Sequence, residues 1–442
     1  PDGKTYEFKL RSGVKFHDGT ALTSQDVKAS LDHVIFPPTG VVSPRRAVYR
    51  QVASIEAPTP STVRVLLKQA SPAMLTFLAS PWNYVYKAEL IEKDPHWFKK
   101  NVMGTGPFKF AEYVPGSHVL GKKNPDYFMK GLPYLDGFRA LYITDGAARV
   151  AALRGGRVAA DWVGATPTLD QASLKQAMGD KVVIQKSNWT CVLTIAFHHE
   201  KKPFDDPRVR RALSLALDRR EAARVLNEFT EYGTVAGISQ PGAPYAMPQA
   251  ELEKIPGYWP DIEKSRTEAK RLLKEAGLPD NFSFAFTNRA ITGAQRVGVY
   301  VIDQWRKIGV NATHRALETG PYFTALRSGD YEASVDFSCD FADEPDLQLT
   351  KYLSSDKSPI NYSRYSDPTL DELYERQSRE QNVERRKQLV WEFERRELGE
   401  MAHQVVILGQ VRAVAHWDYV KGWKVTPSHY LNQDLATVWL AR

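Results

Sequence analysis

The chain has 442 residues, more than a single hydrophobic core usually organises, so we expect two domains or one large two-lobed unit. Lysine and arginine outnumber aspartate and glutamate by 59 to 52, and the net charge of +7 is spread along the chain, which argues against nucleic-acid binding. No apolar run reaches the roughly eighteen residues that a membrane-spanning helix needs, so no such helix is predicted.

The first third of the chain alternates between strand and helix patterns. Residues 6–10 alternate as a strand, and Thr23 stands three residues before Asp26, the spacing of a capping box that opens a helix. Asp145 is placed to cap a later helix, and residues 158–162 have the pattern of the strand that follows it. Elements that alternate in this way are typical of an α/β lobe.

Residues 187–226 contain the clearest change of pattern. A strand of β-formers ends at Lys202-Pro203, after which Asp205 or Asp206 can cap a helix whose first turn holds Pro207. Apolar residues then recur on one helix face, and the arginines lie mostly off that face. We interpret these arginines as a solvated surface rather than a nucleic-acid patch, because no aromatic residues are interleaved with them. They are Arg208, Arg210, Arg211, Arg219 and Arg220.

A second series of elements follows residues 237–260, which are rich in glycine, proline and tyrosine and are interpreted as the passage between lobes. The patterns predict helices at 269–276, 297–308, 321–327, 368–377 and 383–402, and strands at 282–286, 310–317, 331–337 and 404–415. Because the end of the chain is expected to return to the first lobe, we predict lobe one over residues 1–238 plus 412–442. Lobe two is then predicted over residues 239–411.

Motifs for catalysis or metal binding are incomplete. His198-His199-Glu200 lacks the second histidine, four residues on, that a zinc-binding helix requires. Residues 116–123 nearly match a phosphate-binding loop, but Lys123 replaces the hydroxyl residue that would hold magnesium. We therefore predict neither a metal ion nor a cofactor. Cys191 and Cys339 are far apart in sequence and are predicted to be two buried thiols rather than a disulfide.

Two opposite charges stand at the ends of predicted strands. Arg289 follows one strand, ahead of a long helix, and Asp340 follows another strand that leads into a carboxylate-rich stretch. Strand ends at one edge of an α/β sheet are where ligands bind. An arginine suits a carboxylate and an aspartate suits an ammonium, so the pair would hold a zwitterion such as a short peptide. An ordinary surface position for each charge is the alternative.

The chain resembles the family 5 extracellular solute-binding proteins, the peptide- and nickel-binding components of ABC transporters, in five blocks that follow the family's order. The blocks are FKLRSGVKFHDGTALTSQDVKASL, GTGPFKFAEYVPG, NPDYFMKGLPYLD, PFDDPRVRRALSLALDRREA and NYSRYSDPTLDELYE. The resemblance implies an α/β, two-lobed periplasmic-binding-protein fold (cluster C, type II-like), with a hinge and a ligand cleft between the lobes. It also implies a signal and a first piece of the mature domain ahead of residue 1.

The same resemblance assigns roles at the site. In dipeptide-binding relatives an arginine before the long helix takes the peptide carboxylate and an aspartate after the strand takes the amino group, which implies these roles for Arg289 and Asp340. Asp343 is a rival to Asp340, because the loop has what looks like one extra residue. His198 stands where relatives usually have asparagine, which leaves the hydrogen bonding of the hinge open. The other residues expected near the ligand are Cys339, Phe341, Trp82 and Trp189, with a core position as the alternative for Trp82.

Two functions compete. The first is a non-catalytic, monomeric binding protein, periplasmic or anchored outside the cytoplasm as a lipoprotein, that closes on a ligand and delivers it to a membrane permease. Di- or oligopeptides are the leading ligands, and opine or sugar conjugates, nickel chelates and haem are the alternatives that the resemblance implies. The second function is a hydrolase that uses the carboxylates near residue 340.

Overall fold

The computed structural model describes residues 3–41, 43, 45–162, 164–431, 433 and 435–441. The helices are α1 (Ser24–Ile35), α2 (Met74–Leu78), α3 (Ala88–Lys93), α4 (Gly146–Arg154), α5 (Thr168–Met178), α6 (Pro207–Leu215), α7 (Arg219–Phe229), α8 (Gln249–Leu252), α9 (Ile262–Glu275), α10 (Thr292–Arg306), α11 (Thr319–Ser328), α12 (Pro345–Gln348), α13 (Pro368–Gln377) and α14 (Val383–Glu394). The described part of the chain contains no helix with both the length and the apolar character needed to cross a bilayer.

The strands are β1 (Thr5–Lys9), β2 (Val52–Thr59), β3 (Thr62–Leu67), β4 (Phe108–Val114), β5 (His118–Lys123), β6 (Gly137–Leu141), β7 (Val182–Phe197), β8 (Tyr232–Thr234), β9 (Ser283–Arg289), β10 (Asn311–Leu317), β11 (Ala333–Cys339), β12 (Gln404–Trp417), β13 (Val420–Lys421) and β14 (Trp439–Leu440). The largest sheet has the order β10-β9-β11-β7-β12-β8, and smaller sheets have the orders β1-β3-β2, β4-β5-β6 and β13-β14. In the largest sheet, β9 is parallel to both β10 and β11, whereas β7 is antiparallel to both β11 and β12.

The long strands β7 and β12 join two separate cores. Their pairing runs from Gln404 opposite Ala196 to Trp417 opposite Val182. Toward the end of β7, Leu193, Ile195 and Phe197 enter the largest core, whereas Val182 at its start packs in a small core with Leu153, Leu174 and Ala415. A two-strand ribbon that feeds two cores is the physical connection that a two-lobed molecule needs.

The largest core takes residues from both sides of the predicted lobe boundary at residue 238. Leu213 on α6 packs in this core with Leu272 on α9 and Trp305 on α10. Its carbonyl oxygen accepts a hydrogen bond from the indole N–H of Trp305 at 3.0 Å. Residues on the N-terminal side of position 238 therefore belong to the same packed unit as residues after it.

Local signals place most of the predicted elements correctly. Asp206 caps α6 by accepting a hydrogen bond from the backbone of Arg208, and Pro207 occupies the first turn, as predicted. Asp145 caps α4 in the same way. The strand predicted at 158–162 is wrong: in the described part of that segment only Ala160 forms a bridge to another strand.

Two of the five arginines predicted to be solvated are buried instead. Arg210 and Arg219 are only 1% and 4% exposed, and both donate hydrogen bonds to backbone carbonyl oxygens from distant parts of the chain. Arg219 also lies over the ring of Tyr258, with its guanidinium carbon 4.4 Å from the ring centre. The prediction fails because a guanidinium satisfied by carbonyl groups is stable inside a core, although it lies off the apolar helix face. Arg208 and Arg220 are exposed, as predicted.

Candidate functional site

Asp340 lies at the end of β11 and is fixed there by the backbone of β7. Its amide N–H donates to the carbonyl oxygen of Thr190 at 3.4 Å, and the Thr190 hydroxyl donates to the Asp340 carbonyl oxygen at 2.6 Å. One residue earlier, Cys339 is directly opposite Cys191 in the β11–β7 register. The backbone position of Asp340 is therefore set by two strands of the central sheet.

The Asp340 carboxylate pairs with Arg45, which was not predicted from the sequence. Arg45 Nη1 donates to both carboxylate oxygens, at 3.1 and 3.2 Å. One of these oxygens also accepts the Phe341 amide N–H at 2.8 Å. The side chains of Arg45 and Asp340 are 28% and 14% exposed, so the pair is largely shielded from water. Burial raises the pKa of Asp340, and the Arg45 charge opposes this rise.

Aromatic rings surround the ion pair. The guanidinium carbon of Arg45 lies 3.7 Å from the ring centre of Trp82, a cation–π contact. Trp82 packs against Phe341, with ring centres 5.7 Å apart, and against Tyr430, with ring centres 4.9 Å apart. We call Arg45, Trp82, Asp340, Phe341 and Tyr430 the seam cluster. It joins the loop after α1, the segment after α2, the end of β11 and the C-terminal region.

Trp189 borders the seam cluster through His429. The Trp189 indole N–H donates to His429 Nδ1 at 2.7 Å, and the ring of His429 lies 3.7 Å from that of Tyr430, centre to centre. Burial lowers the pKa of His429 to about 4, so the ring is neutral at pH 7 and Nδ1 is free to accept this hydrogen bond. The structure thus brings Trp82, Trp189, Phe341 and Asp340 into one region, and their place beside a ligand stays a prediction.

Cys191 and Cys339 form a disulfide, so the prediction of two buried thiols is wrong. The cysteines are 148 residues apart in sequence, but they face each other across β7 and β11. The prediction considered sequence distance, whereas strand register decides which cysteines meet. The bond cross-links the two strands next to Asp340.

Arg289 lies at the same edge of the sheet as Asp340 but in different surroundings. The β9–β11 register pairs Ser334 with Thr287, so Asp340 lies four residues, or about 13 Å, farther along the sheet than the level of Arg289. The guanidinium carbon of Arg289 lies 5.6 Å from the ring centre of Phe337. The contacts of the described residues do not join Arg289 to Asp340, so their shared role at a ligand stays a prediction.

The carboxylate-rich stretch after Asp340 is divided between different roles. Glu344 and Asp346 are buried ion-pair partners of Arg386, and Glu344 also accepts the Asp346 amide N–H. They are therefore part of the packing between α12 and α14. Burial raises the pKa of Asp343, whose carboxylate stays a candidate for the ligand.

His198 and its neighbours do not form a metal site in the part of the chain that the structure describes, where no group of three or more possible ligands is found. The His198 amide N–H donates to the carbonyl oxygen of Glu332 at 2.9 Å, and its ring packs against that of Tyr331. Burial lowers the pKa of His198. His198 therefore keeps a backbone hydrogen bond to the start of the β11 region.

A cavity of about 460 Å³ lies behind the short helical turn that follows Arg45. Ile35, Tyr49 and Pro359 are among the residues that line it. Three cations line it, namely Arg46, Arg50 and Lys68. A cavity lined by both apolar and cationic side chains has the chemistry to receive an anionic organic molecule.

Comparisons with known proteins identify the relatives of this chain. The glutathione-binding protein GsiB of Salmonella typhimurium is 32% identical over 321 residues, which are 72% of this chain and 59% of that relative. GsiB of Escherichia coli O157:H7 matches to the same extent. The chain thus spans about three fifths of the length of the curated relatives that it matches.

Solved structures share the whole fold. The periplasmic binding protein AgaA of Agrobacterium tumefaciens R10, in complex with agropinic acid, covers all of this chain and 88% of its own, with a TM-score of 0.84 and 26% identity. The murein tripeptide-binding protein MppA of Escherichia coli gives a TM-score of 0.86 over all of this chain and 88% of its own, and at 20% identity it shows the fold alone. These neighbours confirm the predicted two-lobed α/β periplasmic-binding-protein fold.

A match to a family model assigns the chain to a protein family. The model of the bacterial extracellular solute-binding proteins, family 5 (Middle), matches residues 1–359, well over half of the chain. The matched relatives are binding proteins by name, not enzymes. The chain therefore belongs to the family 5 bacterial extracellular solute-binding proteins.

Proposed function

We propose that this protein is the solute-binding component of an ABC importer, which captures a small ligand between two closing lobes and delivers it to a membrane permease. The observation that carries this proposal is the seam cluster, because it assembles residues from distant segments beside the ribbon of β7 and β12 that joins the two cores. Such a position lets lobe closure complete a binding site.

The lobes themselves are part of the proposal. Leu213 shares a core with Leu272 and Trp305, so we place the start of lobe two inside β7 rather than at residue 239. We keep the return to lobe one within β12 near residue 412, a choice supported by the packing of Ala415 with Val182 in the other core. Both crossings then lie on the one antiparallel ribbon, which is the simplest form of a hinge.

The leading ligand is a di- or oligopeptide. Two related proteins are named for glutathione and for a murein tripeptide, and a third is bound to agropinic acid; all three are small molecules with carboxylates. Arg289 at the strand end and the cationic cavity beside Arg45 supply positive charge for such groups. Sugar conjugates, nickel chelates and haem are alternatives with weaker support. A periplasmic or lipoprotein location, a monomeric state and the permease as partner complete the proposal.

The carboxylates near residue 340 are poorly placed for the hydrolase alternative. A pair of carboxylates that serves as acid and base must face the substrate. Glu344 and Asp346 are instead held by Arg386, and Asp340 is held by Arg45. We therefore expect no turnover of peptides or glycosides by the purified protein, and turnover that Asp340→Asn abolishes would overturn this expectation.

Mass spectrometry of small molecules released from the purified protein tests the ligand class. Once a carboxylate ligand is in hand, Arg289→Ala should weaken its binding about thirtyfold or more, since losing a buried charged partner costs about 2 to 5 kcal/mol. Amidation of the ligand carboxylate should weaken binding to the parent protein and should cause little further loss of affinity in the Arg289→Ala variant. Arg306→Ala, at the exposed end of α10, is the matched control. If calorimetry finds that the losses of binding free energy from Arg289→Ala and from amidation are additive, Arg289 does not contact the ligand carboxylate.

A further inference from the structure

Asp340 already has an internal cation in the place where a ligand ammonium would bind. Arg45 Nη1 contacts both oxygens of the carboxylate, and the Phe341 amide N–H contacts one of them as well. A ligand amine that bound there would have to displace two charged hydrogen bonds. The Asp340 backbone is held by Thr190 of β7, and the carboxylate itself is oriented by Arg45 and by the Phe341 amide.

Arg45 is held from its other side as well. Its guanidinium lies 3.7 Å from the ring centre of Trp82, and Trp82 is itself packed between Phe341 and Tyr430. An arginine stacked on an indole and paired with a carboxylate satisfies both its charge and its flat faces. Arg45 is therefore a fixed part of the site rather than a surface side chain that happens to reach Asp340.

The other charges around this region leave an excess of cations. Arg46, Arg50 and Lys68 line the neighbouring cavity, and Arg50 alone among them has a described carboxylate partner, Glu375 at 3.0 Å. On the acidic side, Asp343 is the remaining carboxylate of the loop, since Glu344 and Asp346 pair with Arg386. With Asp340 neutralised internally, the site offers cations to ligand carboxylates, and Asp343 is the carboxylate of this loop that is left for a ligand amine.

We propose that Arg45 is a specificity-determining residue that neutralises Asp340, so that the protein takes peptides whose amine is blocked. N-acylated peptides are the chemical class. This inference rests on the proposed function, because it concerns the ligand of the same cleft.

Competitive retention of defined peptide mixtures tests the inference. The full chain is incubated with an equimolar mixture of di- to pentapeptides and the N-acetylated form of each, and the retained molecules are identified by mass. We expect the N-acetylated forms to be retained in preference to the free amines. Equal retention of both forms, or retention of free amines alone, would overturn the inference while the peptide-binding function stands. Retention of neither form would overturn the peptide function and the inference together.

Variants then assign the effect to Arg45. Arg45→Met keeps an apolar chain against Trp82 but exposes the Asp340 charge, so retention should shift toward free amines by at least tenfold. Arg45→Lys keeps the positive charge and should behave like the parent. Arg64→Met, which breaks the exposed pair of Arg64 with Glu7, is the matched control and should leave the preference unchanged. An unchanged preference in Arg45→Met would overturn the inference. If this variant fails to fold, as judged by urea unfolding, Asp340→Asn decides instead: it should leave the preference unchanged because Asp340 is already neutralised, and a changed preference would overturn the inference.

Discussion

Breaking the Cys191–Cys339 disulfide should destabilise the folded protein by up to about 5 kcal/mol. The bond spans 148 residues, and cross-linking a loop of that length removes about 17 cal/mol/K of entropy from the unfolded chain, or about 5 kcal/mol at 25 °C. The folded state should change little, because β7 and β11 stay paired by backbone hydrogen bonds from Ala333 opposite Phe197 onward. The loss of stability therefore comes mainly through the unfolded state.

Urea unfolding of the protein with and without a reductant measures this effect. The urea midpoint of the parent protein should fall on reduction. A variant with Cys191→Ala and Cys339→Ala should have a midpoint no higher than that of the reduced parent, and this midpoint should not respond to reductant. Thiol titration in denaturant is the control and should find no free thiol before reduction. Two free thiols in the unreduced protein, or a midpoint that does not move when both thiols are freed, would contradict the reasoning.

Other perturbations test buried charges by urea unfolding. Lys351→Met leaves the buried carboxylate of Asp336 without its partner and should cost about 3 to 5 kcal/mol, most of which a second change, Asp336→Leu, should restore. Burial raises the pKa of Glu397 to about 8, so the parent loses stability as the pH rises from 4.5 to 8. Relative to the parent, the free energy of unfolding of Glu397→Gln should therefore be higher at pH 9 than at pH 5. An equal difference from the parent at both pH values would refute this. Burial lowers the pKa of His403 to about 4, so its contribution is present above pH 6.5 and is lost as the pH falls toward 4. His403→Gln should reduce the loss of stability between pH 6.5 and pH 4. An unchanged loss in this variant would show that other groups produce it.

The elements that the sequence predicted well are those with signals close together in the chain. The start of α6 needs only Asp206 and Pro207, and both act within one helical turn. The failed strand at 158–162 had a suitable pattern, but a strand also needs a partner along its length, and Ala160 alone finds one. Arg210 shows the same limit, because the carbonyl groups that satisfy it come from residues near position 401.

The site was predictable only in part for the same reason. Asp340 was found because a strand end is visible in the sequence and a family resemblance gave it a role. Its partner Arg45 lies 295 residues away, in a loop without periodicity, and no pattern in the sequence links the two. The disulfide was missed because register, which pairs Cys339 with Cys191, cannot be read from sequence spacing.

In the seam cluster, apolar packing and the ion pair have different roles. Phe341 and Leu347 are buried in the core of the β1-β3-β2 sheet, together with Val65 and Phe77. Burying each such side chain contributes about 1.5 to 3 kcal/mol, whereas the attraction in a largely shielded pair such as Arg45 and Asp340 is offset by the cost of removing both charges from water. Apolar packing is therefore sufficient to hold this loop against the sheet, and the ion pair is not needed for that purpose. What the pair changes is the set of charges that a ligand meets, because it removes one anion from the site and leaves Arg289 and the cations of the cavity in place.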